Sequence, residues 1–321
     1  MHFFVLIMLF LATPVFAEDD PLGDFTSVPA PVAEEAVPAA DPAPKRTPES
    51  ASAVKPAKTT KSKSPFGAGG DSKQPIDISA DNSLEWDQNA RTYTARGNAI
   101  AKRGDFTIYG DTLVAEERDR TDSKGTEIWK MSAEGNVRLT NGQDGKTSEA
   151  FGDRGVYDID RQVAVLTGDD LKLVTGNDTI TATERFEYWS AEKLAVAVGN
   201  AEVVRSDPAK GKNGERRIKA DKMTALFKED AQGELQAERM EAEGNVIIIT
   251  ATDVAKGDKG IYDMSRNKAL LSGNVHLTRG KSQLAGDKAE VDFNTGISKL
   301  LDTNTGDGKR VRGLLYPKEK K

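Results

Sequence analysis

The residues best suited to chemistry in this sequence are two closely spaced pairs of carboxylates. Asp158 with Asp160, and Asp169 with Asp170, supply the residue type that glycoside hydrolases use as acid and base. All four lie in turn-like sequence, where Asp is common because its side chain bonds to nearby backbone groups. The nearest other candidate, His276, stands in an alternating segment with no recognisable partner. A structural role is therefore favoured for the carboxylates, and a glycan-acting enzyme remains an alternative.

Motifs of nucleophilic, metal and phosphate chemistry are absent from the sequence. It contains no G-x-S-x-G, no H-E-x-x-H and no phosphate-binding loop. It also has no cysteine, which excludes disulfides, thiolate zinc sites and a lipid-modified cysteine. We therefore expect no catalytic residue, no metal ligand and no cofactor.

Charge excludes a further class of function. The formal net charge is −6 at pH 7, from 45 basic and 51 acidic residues that are mixed along the chain. Neutralising a phosphate backbone requires a dense basic cluster, and the sequence has none. We expect no nucleic-acid partner.

The first residues, MHFFVLIMLFLATPVFA, form an apolar run that ends in small residues suited to a signal peptidase. An apolar run of about 14 residues is shorter than the roughly 20 that a membrane-spanning helix needs. The pattern predicts residues 1–17 as a signal peptide cleaved after Ala17, with a membrane anchor as the alternative.

The next segment, residues 18–75, has a composition typical of a disordered linker. Eleven of the 13 prolines lie at or before Pro75, and the segment is rich in Ala, Lys and Ser. Such a composition buries too little apolar surface to offset the entropy of ordering. We predict a tether that is acidic at first and basic from Lys45 onward.

From Ile76 onward the sequence alternates between apolar and polar residues in short runs. Examples are RTYTARGNAIA, GVYDIDRQVAVLTG and NKALLSGNVHLTRG, each interrupted or bounded by Gly, Asn or Asp. Alternation with these boundaries is typical of half-buried β-strands. The sequence predicts an all-β protein.

One phrase occurs twice, as MSAEGNVRLT at Met131–Thr140 and as MEAEGNVIII at Met240–Ile249. Glycines at corresponding places are separated by 102, 109 and 105 residues (Gly97 and Gly199, Gly135 and Gly244, Gly168 and Gly273). Each glycine follows an acidic residue. The number of residues between the two is small, then larger, then small again, and this order occurs in both halves. We expect each glycine to permit a bend or bulge at a junction between strands, and we favour a turn over a ligand-binding role.

The repeat predicts two tandem modules, residues 76–178 and 179–301, the second including a closing unit, followed by a C-terminal edge strand and basic tail at 302–321. A short strand pair cannot bury its apolar face alone, so neighbouring units stack and share a core. Because each of the seven units adds two strands to each wall, we expect about 14 stacked strands per wall.

Strand alternation assigns the faces of the predicted strands. In GNVRL, Val137 and Leu139 share a face opposite Arg138, and in GNVHL, Leu277 lies opposite His276. Because charged residues face water, the apolar set lines an interior. Alternation alone favours a packed core over an open groove and does not decide between them.

Four phrases resemble the LptA/OstA family, the periplasmic bridge component of lipopolysaccharide transport. They are QPIDISADNSLEWD (74–87), GNVRL, VYDIDRQVAVLTG and GKRVRGLLYP (308–317), and the resemblance covers Gln74–Pro317. It implies an open β-jellyroll, or β-taco, whose apolar groove holds acyl chains while the sugars project into water. The chain departs from the family pattern in carrying two modules rather than one and in its Pro-rich tether.

The resemblance also implies site residues. The predicted lipid-groove residues are Ile76, Ile78, Trp86, Leu139, Tyr157 and Ile159, together with the positions that the internal repeat adds, Ile248, Tyr262, Met264 and Leu277. The predicted edge-strand assembly residues are Asp77, Ile78, Ser79, Val311, Leu314, Leu315 and Tyr316. Arg138 and Lys172 are candidates for contact with lipid phosphates, although solvated surface charge is the simpler role.

The implied partners are lipopolysaccharide, the inner-membrane and outer-membrane components of the transport machine, and a second copy of the chain. The implied location is the periplasm. We expect the duplication to replace part of what oligomerisation supplies in shorter relatives. The alternatives are a structural or adhesin-like β-solenoid and a membrane-anchored scaffold subunit of the same system.

Overall fold

A computed structural model describes residues 75–120, 125–143, 146–206, 214–230, 235–295, 297–301 and 311–316. The predicted signal peptide, almost all of the predicted linker, and the tail from Pro317 lie outside the described residues.

The described chain is built from β-strands, as the alternating pattern predicts, and no α-helix occurs in it. No helix in this part has the length and apolar character needed to cross a membrane. The strands are β1 Asp77–Ser79, β2 Ser83–Asp87, β3 Thr92–Arg103, β4 Phe106–Asp119, β5 Thr126–Gln143, β6 Lys146–Asp158, β7 Val163–Thr167, β8 Leu171–Thr175, β9 Asp178–Ala182, β10 Arg185–Trp189, β11 Leu194–Arg205, β12 Arg216–Glu229, β13 Leu235–Ile249, β14 Asp253–Asp263, β15 Lys268–Arg279, β16 Ser282–Asp292, β17 Ile297–Leu301 and β18 Arg312–Leu314.

All pairings between these strands are antiparallel, and the strands form two walls joined along a shared corner. β3 shows the arrangement: its first half pairs with β2 in wall one, and its second half pairs with β1 in wall two. Ten long strands cross from one wall to the other in this way. The pairs β1/β2, β7/β8, β9/β10 and β17/β18 each divide one crossing into two short strands. We call each crossing, whether one long strand or two short ones, a rung. The described chain therefore has fourteen rungs, which confirms the predicted number.

The repeated Gly-Asn dipeptides form the corner between the walls. Five of the six glycines lie inside long strands at β-bulges, where the pairing register shifts, so the predicted bulge is found there and the turn is not. Only Gly168 lies between strands, at the crossing from β7 to β8. A bulge bends a strand and increases its twist, so the strand can continue in the second wall.

At four of the five bulges, a carboxylate from the preceding crossing forms a clamp with the Asn that follows the glycine. Asn136 donates from Nδ2 to Oδ2 of Asp111 at 3.0 Å, and Asn245 donates to Oδ2 of Asp221 at 2.9 Å. Gly135 has a φ of +75°, and a Cβ built on it would lie 2.2 Å from Oδ2 of Asp111. Only glycine fits such a position. The recurrent spacing from acidic residue to glycine is thus the length of chain between the two halves of each clamp.

Next to the corner, the interior is a packed core. In wall one, a row of inward residues intersperses large with small side chains, and the sizes alternate over most of its length: Leu84, Ala95, Leu113, Ala133, Gly155, Leu166, Phe186, Ala197, Met223, Ala242, Gly260, Leu271, Ala289 and Leu300. Most of these belong to one buried cluster that includes residues of both walls. Alternating sizes allow facing layers to interdigitate.

Burial decreases from the corner toward the free ends of the walls, which we call the mouth. In β5, Val137 beside the bulge is 1 % exposed, whereas Leu139 on the same face is only half-buried. β15 repeats this with Val275 at 0 % and a half-buried Leu277. The interior is therefore filled at the corner and more exposed toward the mouth.

Candidate functional site

An uninterrupted line of apolar residues runs along the inner face of wall two, one step from the corner. Its members are directly opposite one another in the strand register and are here called the aliphatic row: Ile78, Ala101, Ile108, Leu139, Ala150, Leu173, Ile180, Val203, Ile218, Ile248, Ala255, Leu277 and Leu284, with Gly313 in the last rung. The row passes through both copies of the repeat without a polar residue.

The inner face of wall one carries larger rings and thioethers at the same level. This aromatic-rich row consists of Trp86, Tyr93, Ala115, Met131, Tyr157, Ala164, Tyr188, Ala195, Ala225, Met240, Tyr262, Ala269, Val291 and Ser298. Trp86 and Tyr93 stack with ring centroids 5.7 Å apart and planes 10° from parallel.

Part of the aliphatic row lies at the bottom of an open depression in wall two of the first copy. Leu139, Ala150 and Leu173 line it from the row, and Phe106, Asn141 and Ser148 line it from the mouth, together with Thr140. Leu139 and Leu173 are half-buried at this depression, whereas Ala150 between them is 2 % exposed.

The structure places the predicted groove residues on the inner face or at its margin. Ile78, Leu139, Ile248 and Leu277 belong to the aliphatic row. Trp86, Tyr157 and Tyr262 belong to the aromatic-rich row. Ile76 packs against the core just before β1, and Ile159 and Met264 are half-buried in the first positions after β6 and β14.

Arginines of wall two act on tyrosines of wall one. Burial raises the pKa of Tyr157 to about 12, and Arg103 opposes this shift. Burial likewise raises the pKa of Tyr262, and both Arg216 and Arg205 oppose it. Arg103 and Arg205 are related by the repeat. In each copy, therefore, an inward arginine opposes the rise in the pKa of a tyrosine on the opposite wall.

These arginines belong to a line of mainly polar side chains at the mouth of wall two, which the sequence analysis did not identify. This mouth row consists of Arg103, Phe106, Asn141, Ser148, Thr175, Asp178, Arg205 and Arg216, and it continues in later strands with Asp253, Arg279 and Ser282. Arg205 stands two residues from Val203, so the alternation that marks the aliphatic row also places Arg205 inside. A sequence argument that assigns every charge to the outer face overlooks it.

Arg138 lies on the outer face, not at the groove. Its guanidinium stacks between Tyr109 and Phe151, with ring centroids 5.4 and 5.9 Å away, and it donates to Glu149 at 2.7 Å. Lys172 is paired in register with Phe151, so it shares this face. The outer location argues against lipid-phosphate contact at these two positions.

Two of the four candidate carboxylates, those of Asp158 and Asp160, have hydrogen-bond partners in the structure. Asp160 accepts a 2.7 Å hydrogen bond from Nη2 of Arg118, and Asp158 accepts one from the backbone N–H of Arg161 at 3.0 Å. Asp153 accepts a bond from the backbone N–H of Asp169 at 3.3 Å. No group of three potential metal ligands is found among the described residues.

The first and last rungs carry the exposed apolar surface. Among the described residues, the exposed large apolar side chains lie only there: Leu84 and Trp86 at one end, and Ile297, Leu301, Val311, Leu314, Leu315 and Tyr316 at the other. The predicted edge residues Asp77, Ile78 and Ser79 form β1, which pairs with β3 and has no second strand partner within the described residues. Val311, Leu315 and Tyr316 flank β18, and Leu314 lies in it.

Comparison with known proteins adds relatives to this geometry. The chain is similar over residues 77–186, 185–297 and 254–313 to the family described as LptA/(LptD N-terminal domain) LPS transport protein. An uncharacterized protein of Rhizobium meliloti (strain 1021), R00383, is 26% identical over 144 residues, which span 43% of this chain and 71% of the relative.

A crystal structure of LptH, described as the LptA-homologous periplasmic component of the lipopolysaccharide transport device of Pseudomonas aeruginosa, is also similar. Its sequence identity is 20% and its TM-score is 0.35, over 40% of this chain and 86% of LptH. The successive family matches extend across nearly all of the described strands, from β1 to β18. The chain therefore belongs to the LptA/LptD N-terminal domain family of lipopolysaccharide transport proteins.

Proposed function

We propose that this protein is a conduit that carries lipopolysaccharide from the inner to the outer membrane, with acyl chains held along the aliphatic row. The observation that carries the proposal is the row itself, which is apolar at every rung of both copies except for a final glycine. Each acyl CH₂ removed from water there contributes about 0.8 kcal/mol.

The row suits transport rather than fixed binding. Its contacts are non-directional, and no polar side chain in it could hold an acyl chain in one register. The aromatic-rich row on wall one supplies the opposite apolar surface. A chain can therefore slide along the row while the sugars and phosphates remain outside the mouth. No chemical step by the protein is needed.

Family membership and the apolar N-terminal sequence support a location in the periplasm after export, with cleavage after Ala17. The open edges support assembly. Strands β1 and β18 each offer an unpaired side beside exposed apolar residues, which suits edge-to-edge pairing with a partner β-jellyroll. We propose the inner-membrane and outer-membrane components of the transport system as partners, with a second copy as a further one. Long concentration-dependent filaments in native mass measurements would contradict the expectation that the duplication reduces self-association.

A matched pair of neighbouring variants tests the conduit. Leu277→Asp places a charge in the aliphatic row, and His276→Asp places the same charge on the outer face, beside Lys256. Binding of lipopolysaccharide to the purified full chain is measured by displacement of a fluorescent acyl probe. We expect about a tenfold or greater loss of affinity for Leu277→Asp, because a carboxylate in an apolar site is poorly solvated, and little change for His276→Asp. Equal affinities would contradict the proposal.

A further inference from the structure

Two arginines stand side by side on the inner face of the second copy. Arg205 on β11 and Arg216 on β12 are directly opposite each other in the strand register. Both belong to the mouth row, two residues from Val203 and Ile218 of the aliphatic row on the same strands. Like charges placed directly opposite are unfavourable in a sheet, so an anion bound beside this pair would reduce the repulsion between the two guanidinium groups.

One of the two positive charges is already compensated. Arg205 makes a two-point contact with Asp178, from Nε to Oδ1 at 2.7 Å and from Nη2 to Oδ2 at 2.6 Å. Arg216 has no carboxylate partner in the part of the chain that the structure describes. Considering only the residues that the structure describes, the cluster of two arginines and one aspartate therefore has a net positive charge at the mouth.

The guanidinium of Arg216 is also held in place. It lies over the ring of Phe293, 5.3 Å from the ring centroid, and Phe293 meets Tyr262 edge to face at 5.6 Å and 89°. A ring contact occupies one face of the guanidinium and leaves its N–H groups, which point outward in the plane, able to donate. A planar fork of this kind matches the oxygens of a phosphate group.

We infer that Arg216, with Arg205 beside it, forms a binding site for the phosphate group of an acylated headgroup at the mouth of the second copy. The inference rests on the proposed lipid-carrying function. Two residues of β-strand separate the arginines from the aliphatic row by about 7 Å. A phosphate on Arg216 thus places the attached acyl chains over Ile218 and its neighbours.

The first copy has no equivalent site. Phe106 on β4 occupies the place that Arg216 has on β12, and it lies directly opposite Arg103 as Arg216 lies opposite Arg205. At these matched positions the first copy therefore has one arginine where the second has two. Arg279, farther along the mouth of the second copy, is paired with Asp253 at 2.9 Å. The phosphate site belongs to the second copy alone, which makes this copy the place where a headgroup is held during passage.

The test compares Arg216→Gln with Arg217→Gln in the full chain. Arg217 is the next residue, lies on the outer face, and pairs with Glu202 at 2.6 Å and Glu215 at 3.0 Å. Affinity is measured for bisphosphorylated lipid A and for the same lipid without phosphates, with thermal unfolding as a control for folding. We expect Arg216→Gln to weaken binding of the phosphorylated lipid about tenfold, the loss typical of one charge-assisted hydrogen-bonding partner, and to leave the dephosphorylated lipid unchanged. Arg217→Gln is expected to alter neither.

Inorganic phosphate distinguishes a headgroup site from a site for the free ion. We expect millimolar phosphate to compete only weakly with the phosphorylated lipid. Binding of inorganic phosphate as tight as that of the lipid would overturn the headgroup assignment. Equal affinity of wild type and Arg216→Gln for phosphorylated lipid A would overturn the inference while leaving the conduit intact. Failure of the wild-type protein to bind either lipid would instead overturn the proposed function, and the inference with it.

Discussion

The two copies of the repeat share their corners and their aliphatic row but differ at the mouth and on the outer face. At the mouth, Phe106 in the first copy corresponds to Arg216 in the second. On the outer face of wall two, Arg138 and Thr140 correspond to Ile247 and Ile249. The shared features determine how the walls join and where the proposed path for an acyl chain runs.

The differences therefore concern what each copy presents to its surroundings. The first copy presents an arginine stacked between two aromatic rings on its outside, and the second presents a pair of arginines at its mouth. Duplication has kept one continuous apolar path while allowing two sets of polar contacts. The predictions below test the common corner first and the differences afterwards.

The largest effect is expected when a corner glycine is replaced by alanine, which adds a Cβ. Gly244 has a φ of +74°, and a Cβ there would lie 2.1 Å from Oδ2 of Asp221. We expect Gly244→Ala to lower the free energy of unfolding by about 3 kcal/mol, through backbone strain and a clash with the clamp. Gly135→Ala in the first copy should cost a similar amount. Both are measured by denaturant unfolding.

Gly280→Ala is the matched control for these substitutions. Gly280 has a φ of +59°, but a Cβ there would meet nothing within 4 Å. Only the strain of a left-handed backbone remains, which costs about 1 kcal/mol. Equal losses at Gly244 and Gly280 would show that the carboxylate clamp does not enforce glycine at the corner.

The difference at the mouth is tested by transplanting the arginine pair. Phe106→Arg, introduced into the Arg216→Gln protein, places a second arginine opposite Arg103. We expect it to recover most of the roughly tenfold loss in affinity for phosphorylated lipid A, because it recreates two adjacent guanidinium groups beside the aliphatic row. Probe displacement measures the affinity, and no recovery would mean that the site needs more than the pair.

The same difference affects the tyrosines across the mouth. Two arginines oppose the rise in the pKa of Tyr262, whereas one opposes it for Tyr157. We therefore expect Arg216→Gln to raise the pKa of Tyr262 further and to leave that of Tyr157 unchanged. Ultraviolet titration of wild type, Arg216→Gln and their Tyr262→Phe derivatives isolates this signal. A fall in the pKa of Tyr262 would contradict the placement of Arg216.

Stability at alkaline pH depends on the buried tyrosine of the first copy. The pKa of Tyr157 is about 12 in the folded chain, above the usual value near 10 for an unfolded one. The contribution of this tyrosine to the free energy of unfolding is fully present below about pH 10 and is lost as the pH rises through about 12. Tyr157→Phe should therefore reduce the loss of stability over that range, as followed by urea unfolding at stepped pH. An identical slope in the variant would contradict the burial of this hydroxyl.

The smallest effect is expected on the outer face. Arg138→Gln removes an ion pair with Glu149 and two ring contacts, and exposed interactions of this kind contribute about 1 kcal/mol or less together. Lipid affinity should stay at the wild-type value, since Arg138 faces away from the aliphatic row. A loss of lipid binding comparable to that of Leu277→Asp would contradict the assignment of faces.

Much of the fold follows from local sequence. Alternation in GNVRL and GNVHL assigns the inward and outward residues of β5 and β15 correctly, and the repeat spacing predicts the fourteen rungs. The glycines predict bends, bulges or turns, and local sequence does not separate these because a φ above zero suits a hairpin turn and a bulge equally. The clamp between Asn136 and Asp111 joins residues 25 positions apart, so no local signal reveals it.

The site was less accessible to sequence reasoning. The aliphatic row depends on the register of every strand pair, and one register shift separates Leu139 on the inside from Arg138 on the outside. Arg205 and Arg216 are eleven residues apart and become neighbours only through the pairing of β11 with β12. Their importance arises from what the opposite wall brings near them, namely Tyr262 and Phe293.

The most direct test of the conduit is site-specific photocrosslinking in cells that export lipopolysaccharide. The crosslinker is placed at Leu139 and Leu277 in the aliphatic row, and at their outward neighbours Arg138 and His276. We predict lipopolysaccharide adducts at both leucines and at neither neighbour, which corresponds to one apolar path through both copies. Adducts at Leu139 alone would restrict transport to the first copy, and the absence of adducts at both leucines would contradict the conduit.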